Sequence, residues 1–307
     1  MNDEKKLIFC AYAHKNSMES GANVLAVQDK ITMYMRNAAV ALISAKKSSP
    51  DCDVAIITNI ELPEDFAALF ELHNILIIKA DFDSFNFGDN YPWGLAFYKL
   101  CALKKCLDLN YDKILLLDTD TYTQNSLDDL WEECEDYIML YDINHRLSIP
   151  HCANFNKQIT DFSGINRALT NYGGEFVAMN KSLLGKFIPV CENIFNEMKA
   201  KEFVTTLGDE FILCLAAEQM KQYVKNASGY MYRFETGPFF LVSTCYKYNA
   251  VSVLHCPAEK QTGFIKVFKY IEKNKEVPSC NKVVKMLHIK KPSFKARLLQ
   301  IKSQFMK

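Results

Sequence analysis

The stretch KILLLDTDTYTQNSLDDLW, residues 113–131, decides how the rest of the chain is read. Four apolar residues, Ile114 to Leu117, run directly into Asp118-Thr119-Asp120. A short apolar run bounded by polar turn residues reads as a strand buried on both faces. The two aspartates then fall at its carboxyl end, where open α/β sheets hold their ligands. Two acids one residue apart on a rigid strand end can share a hard divalent cation with the phosphates of a substrate. Otherwise they only solvate the strand end and help to cap the next helix. Asn125 and Ser126 are placed to cap a short helix over residues 127–131.

Outward from this stretch the chain alternates strand and helix. LIFCAYAH (7–14), DVAIITN (53–59) and NILIIKAD (74–81) each read as a buried strand. Between the first two, Ile31, Tyr34, Met35, Ala38, Leu42 and Ile43 share one helical face at steps of three and four. Pro63 suits the first turn of a second helix reaching about residue 72. Such alternation predicts a parallel sheet with crossover helices. Residues 83–94 are turn-rich, and a helix over about residues 95–109 leads into the central strand.

Downstream, YIMLYD (137–142) is a further strand. Residues 143–170 are polar and weakly periodic and read as a long loop with little structure of its own; His145 and His151 within it read as surface residues. GGEFVAMN (173–180) is a strand entered through two glycines, and residues 182–200 form a helix that Pro189 would kink or interrupt. Thr205 to Gly208 lead into a buried helix whose first turn carries Asp209 and Glu210, where the helix dipole favours acids. GPFFLVSTCY (237–246) and AVSVLHCP (250–257) supply late strands, the last ending at His255.

Composition narrows the function classes. With 307 residues, 49% hydrophobic, the chain can bury a large core, and its formal net charge of zero argues against nucleic acid as a partner. Charge is placed unevenly: residues 281–307 hold eight basic residues and no acid, leaving 28 basic against 36 acidic residues and a formal charge of −8 over residues 1–280. The eleven cysteines form no Cys-x-x-Cys pair, and MNDEKKLIFC has no secretory signal pattern. No apolar run approaches the ~18 residues of a spanning helix. The expectation is a chain of a reducing, cytoplasmic compartment with core cysteines.

The order of these features resembles the glycogenin-like, retaining family-eight glycosyltransferases, which have the GT-A fold. The resemblance covers roughly residues 30–260 and rests on several separated pieces. AFYKLCALKKCL (96–107) resembles the family's lysine-bearing helix, and ILLLDTDTYTQNSLDDLW its metal strand. YGGEFVAMN and TLGDEFILCLA resemble a glycine-bearing strand and a Gly-Asp-Gln helix start, and VSVLHCPAEK a strand ending in a metal-binding histidine. The implied architecture is a Rossmann-like α/β domain over residues 1–265 with a mixed, mostly parallel sheet, followed by a basic helical extension over 266–307.

The resemblance also implies roles. Asp118, Asp120 and His255 would hold manganese or magnesium, with Asp118 also on the donor ribose. Lys99 would contact the donor phosphate or sugar. Tyr34 would stack near a uracil, with Ala11 and Tyr12 where the base lies. Asp209 would lie near the donor sugar. Several positions depart from the family: Tyr172 stands for an asparagine, Glu175 for an apolar residue and Glu210 for a glutamine, and CPAEK after His255 leaves Lys260 as a displaced candidate for the phosphate contact.

Together these imply a metal-dependent transferase that moves a sugar from a UDP-sugar donor to a hydroxyl of a glycan or glycolipid, with residues 143–170 on the acceptor side. Retention requires a carboxylate, or the leaving group itself, on the attacked face. Asp209, Glu210 and Glu175 are the available acids; Asp209 could equally serve only as a helix cap. Two rivals stand beside this reading: a sugar-phosphate nucleotidyltransferase, which wants a glycine-rich turn that AYAHKNSMES lacks, and a non-catalytic glycan-binding protein of the same fold. Phe294, Leu298, Ile301 and Phe305 lie at helical spacing among basic residues. Such a helix either rests peripherally on an anionic membrane surface or docks back on the domain or on a second subunit.

Overall fold

The computed structural model describes residues 4–15, 27–144, 149–234, 236, 250–289 and 298. Its frame is a seven-stranded sheet in the order β3-β2-β1-β4-β7-β6-β8. These strands are β1 (Lys6–Tyr12), β2 (Asp53–Thr58), β3 (Ile75–Lys79), β4 (Lys113–Leu117), β6 (Ile138–Asp142), β7 (Tyr172–Asn180) and β8 (Val224–Asn226). Every neighbouring pair is parallel except those made by β7, which runs against both β4 and β6. A smaller sheet, β5-β10-β9, is built from Thr121–Thr123, Val253–His255 and Met231–Arg233.

The central strands are apolar without interruption because both faces are covered. Alternate residues point to opposite sides of the pleat. Ile8, Cys10, Leu115, Leu117, Phe176 and Ala178 face one core cluster, together with α1 (Val27–Ser48) and α8 (Gly263–Asn274). Leu7, Phe9, Ile114, Leu116, Val177 and Met179 face the other, together with α3 (Tyr98–Lys105), α6 (Lys181–Ala200) and α7 (Asp209–Gln219). The predicted face of α1 is buried as expected at Met35, Ala38, Leu42 and Ile43. Helix α2 (Glu64–Leu72) starts after Pro63, and Pro189 does not end α6.

Two expectations are corrected. Residues 143–170 are not a structureless loop: they hold α5 (Ile149–Ser163), which buries Phe155, Ile159 and Phe162 at steps of four and three. The polar residues between these hid a one-sided apolar stripe of only three side chains. The short helix α4 spans Asp128–Glu133, with Leu127 rather than Asn125 at its N-cap, although Ser126 Oγ accepts from the Asp128 N–H at 3.1 Å. Short strands β5, β8 and β9 carry too few residues for a periodic signal. The strand expected at 237–246, His145 and all of the basic tail beyond residue 289 except Leu298 lie outside the described residues. No disulfide joins any two of the ten described cysteines, most of which are buried. Among the described residues no helix is long and apolar enough to cross a membrane.

Candidate active site

The site grows out of the step between the two sheets. The chain leaves the large sheet at Leu117, turns through Asp118-Thr119-Asp120 and enters the small sheet at Thr121. The turn is held by backbone at both ends: Asp118 N–H donates to Glu175 O (3.0 Å) and Cys256 N–H to Asp120 O (3.1 Å). The Thr121 hydroxyl closes it by donating to Asp118 O (2.8 Å). Antiparallel pairing of β5 with β10 sets Thr121 opposite His255. That register brings the imidazole to the aspartates across 135 residues of chain: His255 Nε2 lies 3.2 Å from Asp120 Oδ2.

Asp118, Asp120 and His255 each offer a ligand atom, all within 4.8 Å of one another. Asp120 is 1% exposed, so it does not solvate the strand end. Its Oδ2 meets His255 and Lys260 Nζ (3.2 Å), while its buried Oδ1 has no hydrogen-bond partner among the described residues. An orphaned carboxylate oxygen beside a second carboxylate and an imidazole fits a divalent cation.

Strand β7 runs against β4 and supplies the floor. A Cβ at Gly174 would lie 2.0 Å from Asp209 Oδ2 and 3.3 Å from Lys99 Nζ, and one at Gly173 would lie 1.8 Å from Glu175 Oε2. The two glycines are therefore the spaces that the acids and the lysine occupy. Asp209 opens α7 behind Gly208, whose φ of 63° and ψ of −145° suit glycine alone. Asp209 is not a helix cap: Gly208 holds that position, no side chain bonds it, and Asp209 Oδ2 has no hydrogen-bond partner among the described residues. Its neighbour is Lys99, at 3.8 Å, which also meets Asp118 Oδ1 at 2.8 Å.

Below these lies Glu175, 3% exposed, between His255 Nδ1 (3.3 Å) and Arg233 (3.6 Å). Burial alone would raise its pKa, but His255 and Arg233 outweigh that and hold it at about 2. His255 is disfavoured as a cation by burial, yet Asp120 and Glu175 together push it up to about 9. Lys260 and His255 likewise overcome burial and hold Asp120 well below the usual carboxylate range. The acids on α7 go the other way. Burial lifts Asp209 to about 6 against the pull of Lys99, and burial with the charges of Glu175 and Asp209 lifts Glu210 to about 8. The carboxylates are thus split: Glu175 and Asp120 are held ionised behind and within the metal-ligand group, whereas Asp209 and, further, Glu210 at the start of α7 are raised.

One cavity of about 410 Å³ joins these groups. Of the residues singled out in the sequence, Ala11, Tyr12, Tyr34, Lys99, Asp118, Asp120, Asp209, Glu210 and Lys260 line it. Glu175 and His255 lie behind its wall. Tyr12 and Tyr34 face each other with ring centroids 5.5 Å apart. Among the lining residues that sequence reasoning misses as site members are Trp93, His151 and Arg233. Arg233 sits beside His255 in the β10–β9 register, on a strand too short to read. His151 reads as a surface residue only as long as α5 reads as loop. For Trp93, an aromatic in a turn-rich segment is the available signal.

No protein-family model matches the sequence, and no curated protein matches it in sequence. Solved structures do match in fold. An active-site variant of LgtC superposes with a TM-score of 0.56 at 15% identity, over 89% of this chain and 97% of that one. The galactosyltransferase LgtC in complex with donor and acceptor sugar analogues gives 0.54 at 17% identity, over 95% and 99%. Mouse xyloside xylosyltransferase 1 gives 0.53 at 11% identity, over 84% and 98%. The mixed, mostly parallel sheet with its helical layers is accordingly the GT-A fold of these glycosyltransferases.

Proposed function

We propose that the chain is a metal-dependent, retaining glycosyltransferase that moves a sugar from a UDP-sugar donor to a hydroxyl of a glycan or glycolipid acceptor. The observation that carries this reading is the convergence of Asp118, Asp120 and His255 from two sheets, with Lys99 and Lys260 beside them at the carboxyl end of β4. Asp118, Asp120 and His255 would hold a divalent metal, which would supply Lewis-acid stabilisation of charge on a nucleotide diphosphate. Lys99 and Lys260 add fixed positive charge at the same place, where a cavity wall strengthens it. Burial opposes both ammonium groups, but the carboxylates around them outweigh it and keep them charged.

Tyr12 and Tyr34 bracket the end of the cavity where a base would lie. Asp209 and Glu210 face the sugar side. One of them acts as transient nucleophile, or they orient sugar hydroxyls while the leaving phosphate takes the acceptor's proton. Glu175 is given a different part: buried and off the cavity, it orients His255 through Nδ1.

The test is a transfer assay on a panel of UDP-sugars with manganese, read by NMR at the anomeric proton. The expected outcome is a product of retained configuration and activity abolished by EDTA. Turnover that persists in EDTA, or inverted product, contradicts the proposal.

A further inference from the structure

We propose that Trp93 is the stacking platform for an acceptor pyranose, fixed at the mouth of the cavity by a strained but anchored turn. This deepens the transferase reading and rests on it for the identity of the cavity. Trp93 is 47% exposed and lines the same cavity as Asp118 and Asp120. A large apolar ring left half in water at the rim of a polar cleft is a binding feature more than a packing one.

The turn that carries it supports this. Tyr91 O accepts from Gly94 N–H at 3.0 Å, with Pro92 and Trp93 in the two middle positions. Trp93 has φ 57° and ψ 23°, the left-handed conformation that glycine or asparagine adopts cheaply at the third position of such a turn. A bulky residue there is a strained choice, of the sort that gathers at ligand clamps.

The turn is also rigid where it must be. Tyr91 stacks on Phe87 with centroids 4.1 Å apart. Its hydroxyl donates to Phe203 O (3.0 Å) and accepts from Thr205 N–H (3.0 Å). The turn is thereby tied to the loop that delivers Gly208 and Asp209. A Cβ on Gly208 would lie 3.6 Å from Trp93 Cβ, so the base of the Trp93 side chain lies against the residue that precedes Asp209. Tyr12 and Tyr34 line the same cavity and pair with each other, ring centroids 5.5 Å apart. His151 and Thr206, on the wall with Trp93, offer polar side chains for hydroxyls. An indole face against the C–H face of a pyranose, with polar groups at its edge, is the chemistry that recognises a sugar ring.

The chain makes the test direct. Of its two tryptophans, Trp131 is buried at 2% exposure, so ligand-induced changes in emission report Trp93. The full chain, with UDP and manganese, is titrated with methyl α- and β-pyranosides of glucose, galactose, mannose and N-acetylglucosamine. At least one should change the emission saturably. Calorimetry on Trp93→Gly should then show affinity for that glycoside reduced at least about ten-fold, and on Trp93→Phe a smaller loss. The thermal shift caused by UDP and manganese should be unchanged in both variants. Undiminished glycoside affinity in Trp93→Gly overturns the proposal, as does a UDP-binding protein whose emission no pyranoside alters. A pyranoside response at Trp93 without any UDP–manganese shift upholds the platform and overturns the transferase reading instead.

Discussion

At Gly174 a single methyl group has nowhere to go except into Asp209 and Lys99. Gly174→Ala is therefore expected to keep the far-ultraviolet circular dichroism of the parent while transfer falls at least about ten-fold, since misplacing catalytic groups by an ångström costs on that order. Glu210 gives a second test. Its folded-state pKa of about 8 lies above the ordinary glutamate value of 4.5, so folding favours its proton. The sign is then fixed: wild type bears no penalty below pH 4.5, a growing one up to pH 8, and a constant one above. Glu210→Gln should melt with wild type at pH 4 and roughly 3 °C or more above it at pH 8.5. An equal gap at both pH values would show that burial does not hold the proton. Asp118 and Asp120 were legible as candidates because they follow an apolar strand, and His255 because it ends one and resembles a family's metal-binding histidine. Arg233 was not, because its three-residue strand acquires meaning only through pairing with β10.

At the scale of elements, one buried carboxylate ties several segments together behind the site. Glu259, 4% exposed, accepts from Thr236 Oγ1 (2.5 Å), Thr262 Oγ1 (2.6 Å), the Gly263 N–H (3.0 Å) and His288 Nδ1 (2.7 Å). It joins the start of α8 to the segment after α9 (Cys280–Met286) and immediately precedes Lys260. Burial opposes its charge, but the two hydroxyls and His288 outweigh that and depress its pKa. Its contribution to stability is accordingly complete above the ordinary glutamate value and lost as pH falls through the depressed one. Glu259→Ala should cost about 2–4 kcal/mol at pH 7 by chemical denaturation. Glu259→Gln should be destabilising at pH 7, by an amount that shrinks as pH falls below the ordinary glutamate value. A variant as stable as wild type at pH 7 would remove Glu259 from this role. Long elements were readable, since strands buried on both faces and a two-turn apolar stripe leave strong patterns. Helix α5 was not, because three apolar residues in a polar stretch are a weak period, and β5, β8 and β9 were too short to have one.

The molecule as a whole is a two-faced sheet with a second small sheet docked at the carboxyl end of its central strand. The strand order was not stated by the sequence, but the strand–helix alternation predicted the parallel half, and the reversal at β7 is what brings Glu175, Gly174 and, through α7, Asp209 under Asp118. Every functional role assigned to these residues depends on that junction binding a metal together with a nucleotide. Ligands that bind only the folded state raise its melting temperature, by an amount that grows with concentration over the dissociation constant. The most direct measurement is thermal unfolding of wild type and Asp120→Asn with UDP, each with and without manganese. A metal-bridged donor site predicts a rise for wild type that requires both UDP and manganese, and none for Asp120→Asn at an otherwise wild-type melting temperature. A UDP shift that is the same without manganese, or the same in Asp120→Asn, would contradict it.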